Sequence, residues 1–155
     1  MKVVFPGSFD PITLGHIDII KRGAQFADTL YVLVNDSAAK KYMFDMQVRT
    51  AFVREALGAM SNVEVVAAEG LTVDFCKKVG ATHILRGIRD AVDYTYEMGI
   101  AGANKKLADV ETIFLLSDGN YNHISASIVR ELIAFHANLD GFVPINVIKW
   151  IEANK

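Results

Sequence analysis

The chain reads as a doubly wound α/β fold of Rossmann-like form, a five-stranded parallel sheet with helices on both faces, and three features of its sequence predict this. Apolar runs of strand length alternate with longer segments of helical period, the pattern that builds a parallel sheet covered by helices. The composition is that of a packed globular protein, with 52% hydrophobic and 22% charged residues, enough apolar surface to offset the entropy of ordering. Nothing divides the 155 residues into parts, because there is no repeat, low-complexity tract or linker, and only Pro6, Pro11 and Pro144 punctuate the sequence. One domain spanning 1–155 is therefore expected, a size that can bury roughly 70% of its unfolded surface.

The elements follow in order. Strands are expected at Val3 to Phe5, Leu30 to Val34, Val63 to Ala67, Thr82 to Leu85 and Thr112 to Leu116, each a short apolar, β-branched run. Helices are expected at Gly15 to Phe26, Met46 to Met60, Thr72 to Val79, Asp90 to Leu107, Ser127 to Phe135 and Asn146 to Asn154. Ile17, Ile20 and Ala24 supply the apolar stripe of the first, and Ile128, Leu132 and Ile133 that of the fifth. Five strands joined by right-handed crossovers place a ligand beyond the strands' carboxyl ends, where the strand order reverses. Functional residues are accordingly sought just after strands.

Composition and missing motifs narrow the function. A formal charge of -2 lacks the basic stripe of a nucleic-acid binder, so any phosphate recognition is local. Cys76 is the single cysteine; it excludes an internal disulfide, suits a reducing cytoplasm, and reads as a core residue rather than a nucleophile. The N-terminus opens directly into a strand-like run without signal-peptide features, and no apolar run reaches the ~20 residues of a bilayer span. A cytoplasmic address without membrane contact is expected. His16, His83, His123 and His136 are scattered, without the spacing of a protein-bound metal. No Gly-x-Gly-x-x-Gly follows the first strand and no P-loop is present. Gly99-Ile100-Ala101-Gly102 matches the loop of one RNA-binding module, yet it falls in a helix-period segment of an acidic chain.

The first strand runs into Pro6-Gly7-Ser8-Phe9-Asp10-Pro11-Ile12-Thr13-Leu14-Gly15-His16. Gly7 permits backbone angles closed to other residues, and Pro11 fixes φ. Thr13 is a candidate helix N-cap, and Gly15 leaves the first turn open to a ligand. His16 then sits at a helix N-terminus, whose positive end favours the neutral imidazole and attracts phosphate. An incidental histidine on a capping turn is the plainer reading of His16 taken alone.

Thr13-Leu14-Gly15-His16 resembles the Thr/His-x-Gly-His signature of the nucleotidylyltransferase superfamily, and the Pro-Gly-Ser-Phe-Asp-Pro-Ile-Thr before it is similar to the phosphopantetheine adenylyltransferase form. The resemblance extends collinearly through Lys40 to Phe44, Gly70 to Phe75, Arg86 to Arg89, Asp93 to Glu97 and Ile124 to Ser127. It implies transfer of the adenylyl group of ATP to 4′-phosphopantetheine, with Mg2+ carried on the triphosphate. It also implies a homohexamer built as a dimer of trimers, and makes coenzyme A a candidate feedback ligand.

The resemblance implies roles residue by residue. His16, Lys40 and Arg89 become the catalytic groups, with Lys40 (just after strand two) and Arg86 (at the end of strand four) holding the acceptor phosphate and Ser8 contacting phosphates. Ser8, Phe9, His16, Gly87, Ile88, Arg89 and Glu97 line the nucleotide site. Tyr121, Asn122, His123, Ile124, Ser125, Ala126 and Ser127 surround the triphosphate, closed by Arg130. Leu71, Thr72, Ile100 and Asn104 line the pantetheine arm. On bland readings Glu97 is a solvated helix residue and Arg130 a surface arginine. Asp93 and Glu97, four apart, resemble a paired-carboxylate site only weakly, since both can meet arginines.

This sequence departs from the family at Ala126, where a hydroxyl is usual, and at Thr72, which is more polar than usual. Thr95 stands where a carboxylate is expected, the Asp45 to Arg49 segment is less acidic, and Gly99, Gly102 and Ala103 are small for their helix. The rivals are another nucleotidylyltransferase, using nicotinate mononucleotide or an alcohol phosphate, and a nucleotide-binding module without catalysis. The Lys40, Arg86 and Leu71 segments speak against the first.

Overall fold

In the computed structural model, which describes every residue from Met1 to Lys155, alternating strands and helices form one sheet. The strands are β1 (Lys2–Gly7), β2 (Thr29–Asn35), β3 (Val63–Ala68), β4 (His83–Ile88) and β5 (Glu111–Leu116). The helices are α1 (Leu14–Ala24), α2 (Met46–Leu57), α3 (Thr72–Val79), α4 (Ala91–Ala108), α5 (Ala126–Ala134) and α6 (Ile145–Ala153). All strand pairs are parallel, in the order β3-β2-β1-β4-β5. The chain thus winds outward from β1 to one edge, returns to β4 on the other side of β1, and winds out again. That reversal makes the β1/β4 seam the switch point of the sheet.

The period of two is visible in the core. Val3 and Phe5, together with Leu30, Val32 and Val34, face the larger apolar cluster under α1, α2, α5 and α6. Val4, Tyr31, Leu33 and Ile84 face the smaller cluster, where α3 contributes Val73, Phe75 and Cys76. Cys76 is sealed there, and burial pushes its thiol up to about 11, which leaves the thiolate nucleophile unavailable.

Several boundaries differ from the sequence expectation, each for a local reason. α2 stops at Leu57 rather than Met60 because Gly58 takes a φ of 58°, and α5 begins at Ala126 because Ser125 is its N-cap. β4 continues past Leu85, pairing Arg86, Gly87 and Ile88 with Phe114, Leu115 and Leu116. Arg86 therefore lies within the strand instead of at its end. In the first turn, the left-handed residue is Phe9 (φ 49°), not Gly7; Gly7 is small because the Phe9 ring would sit 3.0 Å from an added Cβ.

The seam itself is short. β1 and β4 pair only at Val3↔His83 and Val4↔Ile84, whereas β1 stays paired with β2 through Gly7↔Val34. Pro6 has no N–H for a ladder, and the Arg86 Nη1 donates to the Pro6 carbonyl at 2.7 Å. A side chain thus spans the gap where the backbone ladder has ended, and the cleft opens there.

Close packing of α1 on the sheet depends on Gly23, where an added Cβ would lie 2.4 Å from Leu85 Cδ2. Leu85 is fully buried, so its methyl must shift within a close-packed core. Gly23→Ala is expected to lower unfolding free energy by ~1–3 kcal/mol despite the better helix propensity of alanine; chemical denaturation measures this, and an unchanged or raised midpoint contradicts the packing described.

Candidate active site

Thr13 sits in extended geometry before α1, and its hydroxyl accepts from the His16 N–H at 3.3 Å. The return half of this capping box comes from the imidazole, because His16 Nδ1 accepts from the Thr13 N–H at 3.1 Å. An Nδ1 that accepts from an amide carries no proton, so the neutral ring holds its proton on Nε2. Burial, reinforced by the nearby Arg86 and Arg89 charges, holds the His16 pKa down to about 4. The residue lines the cleft as a fixed neutral donor, not an acid.

The cleft has a volume of about 340 Å³ and takes its walls from four places. Ser8, Phe9 and Asp10 come from the β1–α1 turn, and Lys40 from the loop after β2. Arg86, Gly87, Arg89 and Glu97 come from β4 and the start of α4, while Tyr121, Ile124, Ser125, Ala126, Ser127 and Arg130 come from the entry to α5. Two helix N-termini, those of α1 and α5, open onto one space. The Ser125 hydroxyl takes up the Ile128 N–H at 3.2 Å, and the first N–H groups of a helix have no carbonyl partner within it. Those of Ala126 and Ser127 are donors suited to an anion, so the alanine at 126 forfeits a hydroxyl while its N–H remains.

Four cations, Lys40, Arg86, Arg89 and Arg130, share this cleft with three carboxylates, Asp10, Asp93 and Glu97. Each carboxylate is engaged. Glu97, 7% exposed, receives Arg86 Nε at 2.8 Å and Nη2 at 2.6 Å. Asp93 receives Arg89 Nε at 2.9 Å, and this hydrogen bond holds its carboxyl below the usual range. Asp10 accepts from the Met43 and Phe44 amides, both at 2.9 Å. Arg89 Nη1 also reaches the Ile124 carbonyl at 3.3 Å, and Arg130 donates to Asp10 O at 3.0 Å and Ser127 Oγ at 3.2 Å. Preformed donors with engaged counter-charges favour a polyanion, although the whole chain is slightly acidic.

Comparison with known proteins decides the family. A profile described as cytidylyltransferase-like matches residues 4–132. The phosphopantetheine adenylyltransferase of Flavobacterium psychrophilum is 46% identical over 143 residues, covering 92% of this chain and 95% of that one. The Staphylococcus haemolyticus protein of the same name is 46% identical over 152 residues, covering 97% of this chain and 94% of that one. The chain belongs to the phosphopantetheine adenylyltransferase family. A structure provisionally assigned as a nicotinate-nucleotide adenylyltransferase from Vibrio parahaemolyticus aligns with a TM-score of 0.68 at 16% identity, over 99% of this chain and 91% of that chain; this likeness concerns the fold.

Within this chain, not every residue singled out from sequence meets at the cleft. Ile88 is buried beneath it. Asn122 and His123 are exposed on the loop before α5, with the His123 ring against Phe142 at 5.6 Å. Leu71, the residue preceding α3, and Ile100, on α4, are exposed outside the cleft walls, and Thr72 and Asn104 are half-buried on the same two helices. Glu97 is not a solvated helix residue: it is the one buried residue of α4. Asp93 and Glu97 do not form a paired-carboxylate site, because each is tied to its own arginine. Sequence reading missed Arg49, whose side chain is 1% exposed and joins Ser8 to Asp36. Nothing in its local pattern distinguishes it from a surface arginine of an amphipathic helix.

The His16 ring is expected to titrate near pH 4 in heteronuclear NMR, well below an ordinary histidine, with Nε2 protonated above that midpoint. Arg86→Gln removes a cation that disfavours imidazolium, so it should raise the midpoint. A wild-type midpoint near 6.5, or a fall on removing Arg86, contradicts this electrostatic picture.

Proposed function

We propose that the protein transfers the adenylyl group of ATP to the phosphate of 4′-phosphopantetheine, releasing pyrophosphate and forming dephospho-coenzyme A. The observation that carries the reading is the His16 donor, held neutral at a helix start and flanked by Arg86, Arg89 and Lys40, in a chain so similar to relatives of that name. An acceptor phosphate oxygen attacks the α-phosphorus, the bond from that phosphorus to the bridging oxygen breaks, and its electrons leave on pyrophosphate. Nothing in this step needs a protein nucleophile. Positioning and charge stabilisation carry the catalysis.

In this reading, Lys40 and Arg86 hold the acceptor phosphate and offset the repulsion between two anions. His16 Nε2–H donates to the α-phosphate as its equatorial charge grows. Arg89, Ser8 and the Ala126 and Ser127 N–H groups take the other phosphate oxygens, with Phe9, Gly87 and Tyr121 shaping the nucleotide wall. Glu97 fixes the Arg86 fork, and Leu71, Thr72, Ile100 and Asn104 form the path for the pantetheine arm along α3 and α4. Asp10, Asp93 and Glu97 are already engaged, and no group of three metal-ligating side chains is present. That donor set fits a magnesium ion held by phosphate oxygens and water. Such an ion would arrive on ATP and would supply charge neutralisation at the leaving pyrophosphate.

The reading extends to assembly and address. α4 exposes Val92, Tyr96, Met98 and Leu107, with Tyr96 at 70% exposed, and an added Cβ at Gly99 or Gly102 meets nothing within 4 Å. Apolar surface of this kind on a long helix marks an interface and supports self-association; the homohexamer arranged as a dimer of trimers is what the family resemblance adds to that reading. No helix is long and apolar enough to cross a membrane; a cytoplasmic address is part of the reading, supported by the substrates it names. Coenzyme A, which carries both adenylate and pantetheine, is a candidate competitor for the cleft.

Incubation with Mg-ATP and 4′-phosphopantetheine should release pyrophosphate and yield dephospho-coenzyme A; adenylation of nicotinate mononucleotide with phosphopantetheine untouched sinks the reading. Because a donor to developing charge acts on turnover more than on binding, His16→Ala should lower kcat ~10²- to 10³-fold while ATP affinity stays within about an order of magnitude. Loss of ATP binding in full proportion to rate removes that role.

Gly102→Leu adds a side chain where a single chain has open space, so its fold should persist while the oligomer mass by light scattering falls. An unchanged mass contradicts an interface at this position.

A further inference from the structure

We propose that Arg49 is a positioning residue, a buried guanidinium that locks the Lys40 loop onto the phosphate turn so that Lys40 meets the acceptor phosphate in one geometry. The inference rests on the functional reading above.

Arg49 lies in the first turn of α2 and is 1% exposed. Its donors are used in three directions. Nε donates to the Phe44 carbonyl at 2.9 Å, Nη1 to the Ser8 carbonyl at 2.8 Å, and Nη2 to Asp36 Oδ1 at 2.5 Å. The face of the guanidinium covers the Tyr42 ring, 4.2 Å from its centroid.

Asp36 and Tyr42 bracket Lys40 in sequence, so one buried cation grips both ends of the segment that carries it. That segment is cross-linked internally as well. The Tyr42 hydroxyl accepts from the Ser37 N–H at 2.5 Å, and the Lys40 N–H donates to the Ser37 carbonyl at 3.2 Å. From the phosphate turn, Asp10 accepts the Met43 and Phe44 amides. The turn bearing Ser8 and the loop bearing Lys40 are thus joined by two buried charges of opposite sign.

Burying a guanidinium is costly even when it is paired, and an apolar residue would fill the same volume without that cost. What a planar fork adds is simultaneous, directional hold on three separate segments, which a lysine ammonium cannot reproduce. An exposed lysine on a free loop loses conformational entropy each time it meets its phosphate. Fixing the loop beforehand removes most of that cost and sets the approach of the acceptor.

The test compares wild type, Tyr42→Leu, Asp36→Ala, Arg49→Lys, Lys40→Ala and the Lys40→Ala/Tyr42→Leu double variant. Asp36 and Tyr42 are partly exposed, so their variants should fold even if Arg49→Lys does not. Tyr42→Leu and Asp36→Ala are both expected to lower kcat/KM for phosphopantetheine about tenfold with ATP affinity close to wild type; the melting temperature should stay close to wild type in Tyr42→Leu and fall in Asp36→Ala, which leaves the buried guanidinium without its counter-charge. The double variant should be hardly worse than Lys40→Ala, because the latch acts through Lys40. Amide exchange at residues 36–42 should accelerate in Asp36→Ala, a readout independent of activity. Multiplicative losses in the double variant, unchanged acceptor kinetics, unchanged exchange, or a parallel fall in ATP affinity each overturn the latch. A wild-type protein that leaves phosphopantetheine untouched while exchange at 36–42 responds as described overturns the functional reading alone.

Discussion

The parting of β1 from β4 is the constraint on which the site depends. A continuous ladder at the centre of the sheet would close the crevice, and here it stops after Val4↔Ile84. Pro6 withholds an N–H, and the Arg86 guanidinium bridges to the Pro6 carbonyl. A proline in a central strand ordinarily argues against the strand; at a switch point it helps to open the sheet. The same guanidinium is then aimed by Glu97, so the residue that spans the opening also charges it.

Charge in the cleft is organised by carboxylates that serve the cations rather than a ligand. Glu97 orients Arg86, Asp93 orients Arg89, and Asp10 binds the two amides that follow the Lys40 loop. Such pairs add little net stability once desolvation is counted. Their contribution is geometric, because donors fixed before the ligand arrives need no reorganisation as charge develops. A chain with a formal charge of -2 can thereby present a local site for several negative charges.

The five strands and six helices were legible because their signals are local. The continuous apolar run Val3-Val4-Phe5, the Thr13 cap and the spacing of Ile17 and Ile20 each sit within one short window. Boundaries shifted where a single residue decided them, as at Gly58. The extension of β4 through Arg86 was hidden because a polar Arg-Gly pair looks like a loop until its partner strand is known. Cleft residues within the turn after β1 and at the start of α5 could be read from motif and position. The pairings Arg49–Asp36, Arg86–Glu97 and Arg130–Asp10 could not, since each joins elements that only the fold brings together.

Helix α4 links the cleft to the outer surface. It runs for 18 residues yet buries only Glu97, so its packing gives it little register of its own; Tyr94 against Phe114 at 5.5 Å adds one apolar contact. With so narrow an apolar seam its register depends on directional bonds, among them the Lys105 ion pair to Glu111 on β5. The Glu97 fork is another, because two parallel charge-assisted hydrogen bonds to Arg86 fix both distance and angle. The restraint acts both ways: a contact on the exposed face of α4 would also steady Glu97, and through it the guanidinium at the mouth of the sheet. Small residues at Gly99 and Gly102 leave that outer face open to close approach without disturbing the inner one, so surface and cleft share a helix while placing opposite demands on its two sides.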